Sequence, residues 1–184
     1  KGFTGELDGA GFAVRNLCIN STADNQGLIG RLGANGKVHD LTVTGSVTTT
    51  GNTAGGIVGY APAKTSVINC LNEADVTAKT CAAGVVGKAQ ASVTNPTGAK
   101  NAPAIKNCGN TGTIIATDAA AGNAGGIAAI HMQYKMFGGV FTDCINVGGV
   151  TASKKAGGIT VTTNAKKLAD GGGNYYLSGC LNGS

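Results

Sequence analysis

Two short boxes alternate along this chain, and their order never changes. The first is a Gly-Gly pair, reduced to one Gly in two copies, followed by an aliphatic residue. It appears as Gln26-Gly27-Leu28-Ile29-Gly30, Ala54-Gly55-Gly56-Ile57-Val58-Gly59 and Ala82-Ala83-Gly84-Val85-Val86-Gly87. It returns as Ala124-Gly125-Gly126-Ile127-Ala128 and Ala156-Gly157-Gly158-Ile159-Thr160. The second box is apolar-x-Asn/Asp-apolar. Its copies begin at Val14, Val38, Val67, Ile105 and Phe141, and a partial copy, Gly179-Cys180-Leu181-Asn182, closes the series. The last four full copies run into a second repeating tail: Gly45-Ser46-Val47, Ala74-Asp75-Val76, Gly112-Thr113-Ile114 and Gly148-Gly149-Val150.

Aligning the second box puts Leu17, Leu41, Cys70, Cys108, Cys144 and Cys180 in one column, advancing by 24, 29, 38, 36 and 36 residues. A variable period with fixed order is what insertions between stacked strands produce. The segments are short and β-branched, and apolar residues do not recur at i, i+3, i+4, i+7 with helix caps. The pattern therefore predicts an all-β, parallel β-solenoid of about five to six irregular coils. Residues 1–184 read as a single repeat domain, with the chain a mature form or a piece of a longer one. No coil buries its inner face alone, so several must stack at ~4.8 Å spacing.

Composition agrees with stacked columns. Gly supplies 32 of 184 residues, Trp is absent and aromatics are 4%. Large side chains would meet their own copies one coil away; small aliphatics and Cys would not. The Asn/Asp column (Asn16, Asp40, Asn69, Asn107, Asp143) stands just before the inward column. These residue types accept the left-handed backbone conformation better than other non-glycine residues. Charged residues are 12%, where ~25% is usual, and no apolar run approaches the ~18 residues of a membrane helix. Collagen, disordered chains and membrane insertion are excluded on these grounds. The net charge of +5 is spread without dense clusters, which argues against a nucleic-acid partner.

The boxes resemble the GLUG-motif repeats of bacterial cell-surface proteins. Phe3-Thr4-Gly5-Glu6-Leu7-Asp8-Gly9-Ala10-Gly11-Phe12-Ala13-Val14-Arg15-Asn16-Leu17 is similar to that family's opening segment. Ala54 to Gly59 is similar to its naming motif, and Ile105 to Ile114 to its following strand. The resemblance implies a β-solenoid at the cell surface, in adhesins or beside surface peptidases, with no catalytic group of its own. Ala129 and Val161 depart from it, standing where a closing Gly is expected.

Chemistry-bearing motifs are scarce. His39 and His131 lack a Cys or carboxylate at a local metal-ligand spacing, so both are expected to be surface histidines without a metal. A Gly-x-Ser-x-Gly elbow does not occur, and Gly30 to Lys37 fails the glycine spacing of a phosphate loop. The expectation is a non-enzyme without cofactor. Buried free thiols acting as small hydrophobes are expected for the cysteine column. Disulfides between neighbouring coils and thiolate metal binding are the alternatives.

One set of segments differs from the rest. Residues 31–37, 60–66, 88–104, 130–140 and 162–176 hold all four Tyr, all three Pro and both Met, and carry +7 against −2 elsewhere. In a solenoid they would stack on one side, and repeat-wise insertions on one face often form the binding face. The candidate binding residues are Tyr60, Lys64, Lys88, Lys100, Tyr134, Lys135, Lys166, Lys167, Tyr175 and Tyr176. The partner expected is a host or bacterial surface glycan or protein. The leading reading is a stalk or adhesin module, extracellular or at the cell surface. Its rivals are a structural subunit that self-associates end to end into a filament or surface layer, and an accessory module of a surface peptidase or other enzyme.

Overall fold

Each coil begins with a strand whose side-chain alternation is interrupted once. In Ser66–Asn72 the buried positions are Val67, Cys70 and Asn72, while Ile68 and Leu71 are half-buried and Asn69 is exposed. Two inward residues three apart require one extra residue in the strand. Asn69 supplies it with a φ of 53°, and Asp40, Asn107 and Asp143 do the same at 55°, 51° and 51°. A left-handed residue bends the strand and re-aims its neighbours, as β-bulges do. The broad sheet thereby curves, and Val38/Leu41, Val67/Cys70, Ile105/Cys108 and Phe141/Cys144 all reach one core.

A computed structural model of the chain describes residues 1–92, 101–130, 136–137, 139–162 and 176–183; at 91, 92, 130, 136, 137, 162 and 176 only the backbone is described. The fold is an all-β parallel solenoid of short strands. The broad sheet contains Lys37–Thr49, Ser66–Asn72, Ala104–Lys106 and Val140–Thr142, and continues through Asp75–Ala78, Ile114–Ala116 and Val150–Ala152. A second sheet stacks Thr53–Gly55, Cys81–Ala83, Asn123–Gly125 and Lys155–Gly157. A third stacks Ile29–Arg31, Val58–Ala61, Val86–Ala89, Ala128–Ile130 and Thr160–Thr162. Among the described residues no helix is long and apolar enough to cross a membrane.

Among the described residues four turns carry a strand in every sheet, one or two fewer coils than the repeat count predicts. The first coil lacks a strand of its own in the second sheet, where Gln26 makes only an isolated bridge to Ala54. The last described segments, Tyr176–Ser178 and Leu181–Asn182, belong to the broad sheet alone. One further pairing lies outside this frame: Ala91–Ser92 pairs antiparallel with Met136–Phe137, joining two of the insertions.

Register explains the composition. Ala54, Ala82, Ala124 and Ala156 stand in one column across the second sheet. Val38, Val67, Ile105 and Phe141 stand in another across the broad sheet. All but Ala156 are buried, each apolar side chain of that size contributing ~1.5–3 kcal/mol, less for Ala. Phe141 is the largest fully buried side chain, accommodated in the same column by the smaller Ile105 and by Leu177, which is 47% exposed.

Leu41, Cys70, Cys108, Cys144 and Cys180 follow one another up the stack, the first four buried and Cys180 half-buried. Leu17 departs from the expected column. Its register partner is Gly45, not Leu41. The reason is a turn in the first coil. Glu6–Asp8 pairs with Lys37–His39, then Gly9 to Phe12 occupy the space above Asp40 and Leu41. The N–H of Gly9 donates to the His39 carbonyl at 2.9 Å and that of Gly11 to the Asp40 carbonyl at 2.7 Å. A Cβ on Gly9 would lie 2.2 Å from Leu41 Cβ, so only glycine can sit there. Pairing resumes at Ala13 beside Thr42, which carries Leu17 past its expected partner.

Candidate functional site

Three features of the solenoid carry chemistry. The first is on the third sheet, where Arg31, Tyr60 and Lys88 are register partners on successive strands. The Arg31 guanidinium lies 4.5 Å from the Tyr60 ring centroid and the Lys88 amine 5.6 Å from it. Arg31 is exposed and Tyr60 and Lys88 are half-buried, while Val58, Ala61, Val86 and Ala89 are buried. A tyrosine flanked by two cations holds both by its ring quadrupole. Desolvation pulls the Lys88 amine below its ordinary range, with Arg31 adding repulsion. Lys64 sits in the loop that follows, exposed, with a φ of 60° and its N–H donating to the Asn101 carbonyl.

Of the other predicted binding residues, Lys100, Tyr134, Lys135, Lys166, Lys167 and Tyr175 lie outside the described residues, as does His131. Tyr176 is a backbone register partner of Val140, so it falls on the broad sheet and not in the Tyr60 column. Arg31 belongs to the column through register alone.

The second feature corrects an expectation. His39 has carboxylates around it, Asp40 from its own strand and Glu6 and Asp8 from the neighbouring coil. Parallel pairing sets Glu6 beside Lys37 and Asp8 beside His39. His39 Nε2 is 3.1 Å from Glu6 Oε1, and Nδ1 is 2.6 Å from Asp40 Oδ2 and 3.6 Å from Asp8 Oδ1. Lys37 Nζ reaches Glu6 at 3.5 Å. The Asp40 hydrogen bond holds the His39 imidazole above its ordinary pKa, with Glu6 and Asp8 adding to the effect. Asp40 is held below the usual carboxylate range, first by the Asn69 amide and then by His39. Local spacing could not reveal this cluster, because Glu6 lies 33 residues from its partner. The legible signal was the match of Leu7-Asp8 to Val38-His39 as inward-outward pairs.

The third feature is the thiol column. All six cysteines are free. Each column thiol donates back to a carbonyl two residues earlier: Cys70 to Ile68 at 3.1 Å, Cys108 to Lys106 at 3.3 Å, Cys144 to Thr142 at 3.4 Å and Cys180 to Ser178 at 3.5 Å. Neighbouring thiols polarise one another. The Cys108 contact lowers Cys144 to about 7, while Cys108 itself is pushed up. Burial raises Cys81 to about 11.

Comparison with known proteins agrees with the fold. No family model matches the chain. Over 92 residues, half of this chain, it is 34% identical to Halomucin of Haloquadratum walsbyi, a stretch amounting to 1% of that protein. The crystal structure of a proposed immunoglobulin A1 protease from Bacteroides ovatus superposes with a TM-score of 0.56 at 20% identity. That superposition covers 95% of this chain and 59% of the other. At such identity the likeness is one of fold.

Proposed function

We propose that this chain is a non-enzymatic β-solenoid module of an extracellular or cell-surface protein, binding a glycan or protein partner through its Tyr/Lys face. The observation that carries this reading is the Arg31–Tyr60–Lys88 column. Three stacked strands present one aromatic ring and two cations outward on a rigid scaffold. The cations favour anionic groups, and the tyrosine held between them adds contact area and a hydroxyl. Partial likeness to Halomucin, and the GLUG-like boxes, support the placement outside the cell.

A glycan array and a pull-down against surface extracts test it. A ligand lost in Tyr60→Ala supports the reading. No ligand, together with turnover of a polymer by the chain, overturns it.

A second reading is self-assembly. Among the described residues, Ala13–Ser21 pairs on one side only, with Lys37–Thr49, and Phe12 beside it is 77% exposed. An open strand edge with apolar neighbours invites another strand. Light scattering at high concentration decides: a strict monomer removes this reading. A third, an accessory module of a surface peptidase or other enzyme, is separated by finding a catalytic domain in the same open reading frame.

A further inference from the structure

We propose that His39, Asp8 and Asp40 form a site for a zinc-type divalent cation that joins the first coil to the second. The three side chains offer Nδ1 and two carboxylate oxygens within 4.8 Å of one another. The donor set contains an imidazole nitrogen as well as oxygens. Calcium and magnesium take oxygen ligands, whereas nitrogen with carboxylate suits zinc and its neighbours.

Ligand bonds of ~2.0–2.2 Å at tetrahedral angles put neighbouring donor atoms about 3.4 Å apart. The Nδ1 to Asp8 Oδ1 distance of 3.6 Å already suits this. The Nδ1 to Asp40 Oδ2 distance of 2.6 Å must open by about 0.8 Å, a small side-chain rotation at a solvent-facing position.

The surroundings follow the grammar of a metal-bound histidine. Such a histidine gives its other ring N–H to a carboxylate, which fixes the tautomer and aims the free nitrogen at the ion. Here Glu6 Oε1 stands at Nε2, at 3.1 Å, and Lys37 pairs with the same carboxylate oxygen. With Nε2 donating, the Nδ1 lone pair points between Asp8 and Asp40. Both of those carboxylates are themselves held. Asn69 Nδ2 donates to Asp40 Oδ1 at 2.9 Å, and the Ala10 N–H donates to Asp8 Oδ1 at 2.7 Å. A shallow depression lined by Asp8, Ala10, Gly11 and Asp40 opens beside the two carboxylates.

The location gives the ion a purpose. Later coils are tied by a buried asparagine ladder, but the second coil carries Val43 at the register position of Asn72. A cation bridging Asp8 of one coil to His39 and Asp40 of the next would replace that tie where it is missing.

The test uses the chain stripped with a chelator and titrated with zinc chloride by calorimetry. One saturable site per chain is expected, with calcium chloride failing to compete at equal concentration. Asp40→Asn is the chief variant, because Asn69 and Asn107 occupy the same left-handed column and the fold tolerates that residue. It should lose zinc binding while keeping the wild-type circular dichroism spectrum. His39→Ala should do the same. Glu6→Gln should weaken binding about 10–100-fold. Zinc should raise the thermal midpoint of the parent chain and leave that of Asp40→Asn unchanged. Absence of saturable binding shows instead a protonated imidazole clamped by acids, and overturns the proposal. Zinc binding that survives Asp40→Asn and His39→Ala puts the ion elsewhere, the cysteines included, and overturns it equally.

Discussion

The Asn72 side chain fills the space that a Cβ on Gly56 would need: its Oδ1 lies 1.9 Å from that point. The same relationship joins Gly84 to Asn110, Gly126 to Asn146 and Gly158 to Asn182. The second glycine of one box and the asparagine of the other are therefore two halves of one device. Each buried amide donates to the next: Asn72 Nδ2 to Asn110 Oδ1 at 2.8 Å, Asn110 to Asn146 at 2.8 Å and Asn146 to Asn182 at 3.0 Å. Each also closes its own turn, as Asn72 does onto the Ala74 carbonyl at 2.8 Å. Where the device is missing, both halves are missing. Leu28 stands at the place of Gly56, its N–H donating to the Gly56 carbonyl, and Val43 stands beside Asn72.

Gly56→Ala should destabilise the chain by about 3 kcal/mol, the range of an overpacked core. The added methyl meets Asn72 and also the Gly84 carbonyl oxygen at 2.5 Å. Adding Asn72→Ala should relieve only part of the loss, because the backbone contact stays. Chemical denaturation of the two single variants and the double variant checks this; full rescue would show that the backbone yields freely.

Asn110→Ala should cost about 2–4 kcal/mol. It leaves the buried Asn72 Nδ2 and Asn146 Oδ1 each without its ladder partner, and an unmatched buried polar group costs ~1–3 kcal/mol. Hydrogen exchange should quicken in both adjoining coils, not in one. Loss confined to one coil would mean that the ladder does not couple them.

The cysteines should titrate as thiols. In denaturant without reductant, at least four groups should react with a thiol reagent, and two or fewer would indicate disulfides. In the folded chain exposed Cys18 should react first. Cys81, buried and raised to about 11, should be among the slowest, since the thiolate is the reactive form.

Stability should respond to pH through His39 and Asp40. Glu6, Asp8 and Asp40 face the imidazole, and Lys37 pairs with Glu6. Because the folded pKa of His39 is raised, its contribution is complete below the unfolded value of ~6.5 and is lost as pH rises through the folded value. Asp40 is lowered, so its contribution is present above ~3.9 and is lost as pH falls through its folded value. Between these limits the pair helps most. In chelator, the melting temperature of the parent should fall relative to His39→Gln as pH rises above ~6.5. Parallel pH curves for the two chains would contradict the raised pKa.

On the Tyr/Lys face, Lys64→Ala should weaken partner binding mainly at low salt and slow association, because its exposed charge is screened over ~8 Å at physiological ionic strength, whereas half-buried Lys88→Ala should show a weaker salt dependence. Tyr60→Ala should speed dissociation at any salt. Surface plasmon resonance across a salt series separates the two. An unchanged salt dependence in Lys64→Ala would remove that face from the interaction.

Much of the architecture is written in the amino-acid order. Asp40, Asn69, Asn107 and Asp143 each carry the left-handed backbone that their residue type favours, and the column after them points inward. Outer asparagines hydrogen-bond along the axis as stacking suggests, Asn69 to Asp40 and Asn107 to Asn69 at 3.0 Å. These features are local: residue type and spacing within six residues suffice to produce them. Register is not local. It depends on how many residues each turn consumes before the chain pairs again, and the hydrogen bonds that settle it join residues tens of positions apart. Asn16 has the expected left-handed φ of 57°, yet the Gly9 to Phe12 turn has already used the space above Leu41, so Leu17 lands beside Gly45. That same pairing delivers Glu6 and Asp8 to His39, and stacking alone reveals that Asn72 needs a glycine at position 56. The residues determine which side chains turn inward and where the backbone bends; only the packed coils decide which residues meet, because contacts between coils depend on the summed length of everything between them.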